Sequence, residues 1–322
     1  MRPIILGVLA AFFFSSSFIF NRFMELSGGS WIWSASLRYM FTVPFLLLLV
    51  IMRRGMRPLW QMLKEKPGTW LLWSFVGFGL FYAPLCFAAA FAPGWLTAGT
   101  WQITIISGSL LAPFFSLTLQ TSKGPVKVRG QIPGRGLAIS SIVLIGIVLM
   151  QMQQANHLSL QEVLLGSIPV LFASFAYPLG NRKMMDACDG RLDTYQRVLG
   201  MTIASLPFWL LLSVYGIFTV GLPSQGQMLQ SSIVAICSGA IATVLFFHAT
   251  DMVRGNMQKL AAVEATQSME VLFTVMGEWI LFPNSLPTAL SWFGMLLLIM
   301  GMIIHSYVSH KGTVTRKEEV SA

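Results

Sequence analysis

Three acidic residues lie within one strongly apolar stretch of the chain, and they are the residues best placed to carry chemistry. Glu264, Glu270 and Glu278 fall between about residues 257 and 282. A charge at the centre of a bilayer costs roughly 2.5–3.5 kcal/mol on insertion scales, so such a residue usually faces a partner or a water-filled path. On a helical wheel the acids share a stripe about 120° wide with Gln267 and Thr274. We expect this stripe to face protein or water and not lipid.

The depth of each acid suggests a role. With a rise of 1.5 Å per residue, Glu270 lies roughly 20 Å along the helix, near the bilayer midplane, and Glu264 lies roughly 10 Å along it. Glu264, Gln267 and Glu270 are therefore candidates for a substrate path, and the two acids for exchange of protons during transport. The structural alternative is a buried pair with an arginine, or packing between helices. This structural alternative stays open for Glu264 and Glu270, and we favour it for Glu278.

The composition identifies the solvent around these residues. The chain has 322 residues, of which 55% are hydrophobic and only 10% are charged. Soluble domains carry about 25% charged residues, so a water-soluble protein is excluded. The net charge is +9, but the basic residues lie in short connections and form no stripe with aromatic residues. No nucleic-acid partner is expected.

Ten apolar stretches are long enough to cross about 30 Å of hydrocarbon. They do not alternate apolar with polar residues, as the strands of a membrane barrel do. The predicted fold is therefore an all-α polytopic membrane protein with ten transmembrane helices. The spans, numbered 1 to 10, cover about residues 4–24, 31–52, 70–91, 96–119, 136–152, 163–182, 194–216, 230–250, 257–282 and 287–308.

The distribution of positive charge predicts the orientation. All but three of the 21 Lys and Arg residues fall at the termini or on even-numbered connections; the exceptions are Arg22, Arg38 and Arg197. Basic residues concentrate on the cytoplasmic side of membrane proteins. We therefore expect both termini in the cytoplasm, in a protein of a bacterial plasma membrane with lipid around it.

Matched residues indicate an internal repeat. With offsets of 159 to 164 residues, the pairs are Asn21-Arg22 with Asn181-Arg182, Arg38 with Arg197, Gly79 with Gly239, and Leu96-Thr97-Ala98 with Leu260-Ala261-Ala262. Because each half holds five spans, the second half is inverted in the membrane, an arrangement found in secondary transporters. The predicted units are residues 1–153, residues 154–310 and a cytoplasmic tail at residues 311–322.

Span 4, the counterpart of span 9, carries a second group of candidates. Thr97, Thr100, Thr104 and Ser107 form a polar stripe, and Trp101 and Gln102 lie beside it. An indole face attracts cations, and an amide can bind an organic molecule. The alternatives are hydroxyls bonded to helix carbonyls and a tryptophan anchored at the membrane interface.

Arg38 and Arg197 are the candidates for binding an anionic group, because a guanidinium presents a planar fork to a carboxylate. The alternative is pairing with Glu25, Asp193 or a span 9 glutamate. Two tyrosines, Tyr82 and Tyr177, lie near prolines at which a gate could bend, and packing explains them equally well. Ser17 belongs to a serine triplet in the middle of span 1. We include all three hydroxyl residues in the candidate substrate path.

Gly277-Glu278 at the end of span 9, the run from Ala262 to Gln267 and Thr100-Trp101-Gln102 resemble the drug/metabolite transporter superfamily. The resemblance is greatest to the putative multidrug resistance efflux transporters. It implies ten helices in a five-plus-five inverted repeat and an exporter of small organic molecules. The four-helix small multidrug resistance relatives use a glutamate in helix 1, whereas span 1 here has Ser15-Ser16-Ser17 and only Glu25 at its outer end. Any coupling acid must lie elsewhere.

No nucleophile, nucleotide-binding or metalloprotease motif is present, so an enzyme is not expected. The three cysteines lie far apart and show no metal-ligand spacing, so neither a metal nor a cofactor is predicted. The expected function is secondary transport of drug-like cations or metabolites by alternating access, with possible proton coupling. The alternative is an amino-acid or other metabolite exporter that is not coupled to protons. Because both repeats lie in one chain, a monomer could contain the whole path. The oligomeric state, monomer or homodimer, stays open.

Overall fold

The computed structural model describes residues 1–92, 94–121, 124–155, 158–281 and 289–321. Helices dominate these ranges. The first predicted half contains α1 (Arg2–Leu26), α2 (Trp31–Met52), α3 (Met56–Glu65), α4 (Pro67–Ser74), α5 (Leu80–Phe91), α6 (Gly94–Trp101), α7 (Thr104–Leu110) and α8 (Gly134–Ala155). The second contains α9 (Leu160–Cys188), α10 (Thr194–Thr219), α11 (Gln225–Val234), α12 (Thr243–Asp251), α13 (Met257–Ala265), α14 (Met269–Leu281) and α15 (Ala289–Ser321).

The helices confirm a multi-pass membrane protein. Within the described ranges, six helical stretches are long and apolar enough to cross a membrane. They are Arg2–Leu26, Trp31–Met52, Pro67–Phe91, Leu160–Cys188, Thr194–Thr219 and Gln225–Asp251, and shorter apolar helices cover Gly136–Leu149 and Trp292–Ile304. Large apolar side chains such as Phe172 and Phe218 point outward, as lipid contact requires. The count of ten spans stays a prediction.

A short β-hairpin follows α7. Strand β1 (Ser116–Thr121) pairs antiparallel with β2 (Gly124–Arg129), and Ser116 lies opposite Arg129. The predicted end of span 4 at residue 119 is therefore wrong, since α7 already ends at Leu110. Pro113 lies just beyond, and a proline has no backbone N–H with which to continue a helix. The sequence of both strands alternates polar with apolar residues, which favours strand over helix.

Four of the long helical stretches are not regular α-helix throughout. The interruptions are π-helical at Phe75–Gly79 and Ala235–Ala242, 3₁₀-helical at Thr266–Ser268, and a turn between Trp101 and Thr104. Irregular backbone at membrane depth is tolerated where it is buried in protein or lines a cavity. These breaks account for the absence of spans 4 and 9 from the six long continuous helices.

The two predicted halves interleave. The first helix, α1, packs against α12, α14 and the π segment Ala235–Ala242, whereas α9 packs against α5, α6 and the π segment Phe75–Gly79. Two further contacts join α2 to α10 and α8 to α15. Each of these contacts joins one half to the other. The core therefore lies between the halves and not within either one.

Two glycines allow a close backbone approach between the halves. A Cβ atom at Gly180 in α9 would overlap the backbone N and Cα atoms of Gly77 in the first π segment. Without side chains, the two helices can approach each other closely enough for backbone contact, as small residues allow in membrane proteins. The position therefore excludes any larger residue.

Gly180→Ala should destabilise the protein, by about 1–3 kcal/mol as for overpacked cores, because the added methyl group meets backbone that cannot rotate away. Thermal unfolding in detergent, followed by tryptophan fluorescence, measures the loss. Gly226→Ala is the matched control, since its added atom would lie 3.9 Å from its nearest neighbour, the Ser224 hydroxyl. Equal unfolding temperatures for the two variants would contradict this account of the contact.

Candidate functional site

A cavity walled by aromatic rings lies between the halves, and we call it the aromatic cavity. The space between its walls is about 270 Å³, a volume that includes space open to the outside. Helices α1, α5, α6, α9 and α14, the second π segment and the 3₁₀ segment all contribute to its wall. The lining residues are Phe14, Ser17, Phe18, Phe81, Tyr82, Leu85, Trp101, Tyr177, Ser238, Gln267 and Glu270.

Three rings form one side of the aromatic cavity. The centroid of Phe81 lies 4.9 Å from that of Trp101 and 4.6 Å from that of Tyr177. The Trp101 and Tyr177 centroids are 5.6 Å apart in an edge-to-face arrangement. Such geometries are favourable for aromatic pairs. The rings offer a flat apolar wall to a bound molecule, and the exposed face of an indole also attracts cations.

Three lining residues lie at or next to helix breaks. Trp101 is the last residue of α6, Gln267 lies in the 3₁₀ segment, and Glu270 is in the first turn of α14. Interrupted helices at corresponding positions of two halves are where transporters place their binding sites, because backbone and side-chain groups become available there. The predicted stripe of span 9 therefore does not run as one continuous face, since the break divides it.

Glu270 is buried, with 1% of its surface exposed. Among the described side chains, no basic nitrogen lies within 4 Å of its carboxylate. The Trp101 indole is its hydrogen-bonding neighbour, and Oε1 has no partner. A buried charge without compensation costs several kcal/mol. A proton or a positively charged ligand at this carboxylate would remove that cost.

Glu264 has a different environment. Arg182 of α9 holds it in a two-pronged contact, with Nε donating to Oε1 at 3.0 Å and Nη2 donating to Oε2 at 2.6 Å. Both side chains are buried, and the carboxylate lies against Gly108, where a Cβ atom would overlap it. Glu264 does not contribute to the lining of the aromatic cavity. This arrangement corresponds to the structural alternative for Glu264, a buried pair with an arginine.

Arg38 lies directly behind the cavity wall, and its buried side chain is 1% exposed. Its Nη2 donates to the Ser238 hydroxyl at 2.9 Å, and its guanidinium carbon lies 3.9 Å from the centroid of the Tyr82 ring. Nε and Nη1 have no hydrogen-bond partner. No carboxylate among the described side chains lies within 4 Å of it. Pairing with a span 9 glutamate or with Glu25, one of the predicted alternatives, is therefore not found.

Arg197, the repeat counterpart of Arg38, is paired. Its partner is Asp251, which also accepts a hydrogen bond from Thr194 at 2.8 Å. The predicted partners Glu25, Asp193 and the span 9 glutamates are therefore wrong for Arg197. Asp251 is the last residue of α12 and Arg197 lies near the start of α10, so the pair joins the ends of two helices that are far apart in sequence, and no local pattern could predict it.

The hydroxyl stripe of span 4 mostly binds α9. Thr104 and Ser107 both donate to the Ser174 carbonyl, and Thr100 donates to the Ser167 hydroxyl at 3.5 Å. Gln102 donates to the Ala98 carbonyl of its own helix. These contacts match the structural alternative for the stripe. None of Thr100, Gln102 and Thr104 lines the aromatic cavity.

The aromatic cavity brings together six of the twelve predicted site residues. They are Ser17, Tyr82, Trp101, Tyr177, Gln267 and Glu270. Sequence reasoning missed the lining residues Phe14, Phe18, Phe81, Leu85 and Ser238. Phe14 and Phe18 are four residues apart beside Ser17, and Ser238 precedes the repeat-matched Gly239, so spacing around predicted residues could have indicated them. The Glu278 side chain lies outside the described part of the structure.

The comparison with protein families decides the class. The model of the EmrE family, described as "Putative multidrug resistance efflux transporter", matches residues 1–311. The chain belongs to this family. Membership makes it a membrane transporter with a small-molecule substrate and not an enzyme, as the sequence predicted. The resemblance to this branch of the drug/metabolite transporters is thereby confirmed.

Bacterial relatives share most of the chain. It is 55% identical over 319 residues to the uncharacterized protein YjlA of Bacillus subtilis (strain 168), with 99% of this chain and 98% of that protein covered. It is also 49% identical over 270 residues to a 42.1 kDa protein of Shouchella clausii, with 84% of this chain and 70% of that protein covered. A crystal structure with 12% sequence identity has a TM-score of 0.70 and covers 95% of this chain and 98% of its own. That likeness shows a shared fold.

Arg182→Met should destabilise the protein by ~3–5 kcal/mol, because it leaves Glu264 buried and uncompensated. The double variant Arg182→Met with Glu264→Met should recover most of the loss. Thermal unfolding of the purified protein in detergent measures both. Arg191→Met is the control, since its pair with Glu65 is half exposed and such pairs are worth about 1 kcal/mol or less. If Arg182→Met unfolds at the same temperature as Arg191→Met, the buried pair does not stabilise this fold.

Proposed function

We propose that the protein is a secondary exporter that moves small organic molecules by alternating access between two inverted halves, residues 1–153 and 154–310. The substrate binds in the aromatic cavity, and Glu270 is the acid that couples transport to protons. The observation that carries this proposal is an uncompensated buried carboxylate in an aromatic cavity built by both halves. The nonpolar rings bind the body of the molecule, and the carboxylate binds its positive group.

Exchange of helix contacts between the halves supports an inverted repeat. With the counterparts predicted from sequence, the contact of α1 with α12 corresponds to that of α9 with α5, and the contact of α1 with α14 to that of α9 with α7. The two π segments begin at Phe75 and Ala235, which differ by the same offset as Gly79 and Gly239. Two similar halves can exchange conformations at little cost in energy, which alternating access requires.

The ion pairs support a state that is closed on the cytoplasmic side. Five ion pairs join described side chains. Four lie at helix ends or connections that the distribution of basic residues assigns to the cytoplasm, and the fifth, Arg182–Glu264, lies roughly 10 Å inside that side. The four are Arg53–Asp193, Arg191–Glu65, Arg197–Asp251 and Arg254–Asp189. Among the described side chains no ion pair lies on the opposite side, where Gln227 donates to the Ser30 carbonyl at 2.7 Å and Arg22 to the Ala89 carbonyl at 3.3 Å. Opening toward the cytoplasm would therefore separate charges, whereas opening outward would not.

The coupling acid has few neighbours that could take its place. The other titratable groups in the lining are Tyr82 and Tyr177. The acid nearest to Glu270 in the sequence is Glu264, which is paired with Arg182. A proton and a cationic group compete for Glu270 in this scheme, so the binding of one releases the other. The inward proton gradient then drives the substrate outward.

A second candidate function is export of a metabolite without proton coupling. Arg38 favours it, because a buried cation without a carboxylate partner next to the lining residues Ser238 and Tyr82 suits a substrate with an acidic group. In that case Glu270 binds substrate only and does not exchange protons. The transport assay below separates the two candidates.

Glu270→Gln should abolish gradient-driven transport, with a loss of at least about tenfold, or ~1.4 kcal/mol, because the amide can neither take up a proton nor pair with an ammonium group. The assay measures uptake of tetraphenylphosphonium and of labelled L-phenylalanine into inverted membrane vesicles, with and without a proton gradient. Asp186→Asn is the matched control, since its side chain is exposed and belongs to none of the five ion pairs, and it should keep full transport.

The coupling role would be contradicted if the intact protein carried neither probe, or if transport of both probes were independent of the proton gradient. It would also be contradicted if Glu270→Gln transported at the control rate while reaching the membrane in equal amount. Transport that is independent of the gradient but sensitive to Glu270→Gln supports the second candidate function.

A further inference from the structure

Two buried charges without ionic partners lie at the aromatic cavity, Glu270 in its lining and Arg38 directly behind its wall at Ser238 and Tyr82. Five charged side chains are buried in the described part of the chain. Three of them are paired: Arg182 and Glu264 with each other, and Arg197 with the partly exposed Asp251. The remaining two are Arg38 and Glu270. A transmembrane protein that pairs its other buried charges but leaves one cation and one anion unpaired at the same cavity has a site for a ligand that carries both opposite charges.

We propose that the aromatic cavity binds small zwitterions with an apolar body, with the ammonium group at Glu270 and the carboxylate on the Arg38 side. This inference rests on the proposed function and names its substrate class. A ligand that is only a cation leaves Arg38 uncompensated, and one that is only an anion leaves Glu270 uncompensated. A zwitterion compensates both charges and adds no net charge to the membrane interior.

The carboxylate end of the site is formed by Ser238 and Tyr82. Because the Ser238 oxygen accepts from Arg38 Nη2, the hydroxyl proton of Ser238 can be donated to a ligand in the cavity. Arg38 supplies the positive charge behind it, and its Nε and Nη1 groups have donors to spare. Hydrogen bonds of this kind to an ionised group are roughly twice as strong as neutral ones.

The ammonium end is formed by Glu270 and Trp101. The unpartnered Oε1 of Glu270 can accept from an ammonium group, and the indole of Trp101 adds a ring face. Tyr177 contributes a buried hydroxyl without a partner to the same lining. Its ring centroid lies 4.6 Å from that of Phe81, and these two rings would contact the body of the ligand.

Three probes of similar shape test the charge requirement. L-Phenylalanine carries both charges, phenethylamine lacks the carboxylate, and 3-phenylpropionate lacks the ammonium group. Binding to the purified full chain in detergent is measured by tryptophan fluorescence, with Trp101 in the cavity as the reporter, and by isothermal titration. We expect L-phenylalanine to bind at least about tenfold more tightly than either of the other probes, equivalent to ~1.4 kcal/mol.

The variants should change this selectivity in opposite directions. Arg38→Met should remove the preference for L-phenylalanine over phenethylamine, and Glu270→Gln should remove its preference over 3-phenylpropionate. Ser238→Ala is a milder variant of the carboxylate end that keeps Arg38 and the fold, and it should weaken L-phenylalanine several-fold without weakening phenethylamine. Arg57→Met, at an exposed side chain that belongs to none of the five ion pairs, should leave all three affinities unchanged.

The proposal would be overturned if the intact protein bound L-phenylalanine and phenethylamine with equal affinity, or did not bind L-phenylalanine at all. It would also be overturned if Arg38→Met and Ser238→Ala each lowered the affinity for all three probes equally. The vesicle assay keeps the proposed function separate. Gradient-driven uptake of tetraphenylphosphonium without L-phenylalanine binding supports an exporter of cations and rejects the zwitterion site. L-Phenylalanine binding without transport supports the site and rejects the exporter.

Discussion

The cost of an unpaired charge in a nonpolar interior constrains this structure more than any other interaction. A buried ion loses its hydration, and only a close partner of opposite charge offsets the loss. Arg182 and Glu264 satisfy this requirement across two helices, and Arg197 and Asp251 satisfy it at the ends of two others. The same requirement makes Glu270 and Arg38 exceptional, since neither has an ionic partner among the described side chains. A charge that the fold does not neutralise must be neutralised during function, by a proton or by a ligand.

Local patterns in the sequence predicted the apolar helices, the polar stripe of span 9 and the contribution of Glu270, Gln267 and Trp101 to one site. The pairing of the acids could not be predicted, because Arg182 and Glu264 are separated by 82 residues and helical spacing carries no information over that distance. The break at Thr266–Ser268 was missed as well, since neither glycine nor proline marks it. Hydropathy averaged over a window also hid the strands after Leu110, whose alternation extends over only six residues each.

The matched positions of the predicted repeat have diverged in chemistry. Arg22 and Arg182 correspond by offset, and so do Thr100 and Glu264. Arg182 forms the buried ion pair, whereas Arg22 donates to the Ala89 carbonyl at 3.3 Å. The two sides of the molecule are therefore held by contacts of different strength. In a transporter built from such halves, the two access states differ in energy even without a substrate, and the ionic side is the one that opens at greater cost.

The π segments have a consequence for how the chain tolerates insertions and deletions. A π turn contains one more residue than an α turn in the same place. Removing one residue from Phe75–Gly79 would therefore restore an ordinary helix and leave α5 in phase. Since successive residues of an α-helix are rotated by about 100°, an ordinary helix that kept the extra residue would instead rotate all that follows in α5. Tyr82 and Leu85 would then turn away from the aromatic cavity, although no lining residue had been replaced. The length of each π segment is therefore as much a part of the site as its side chains.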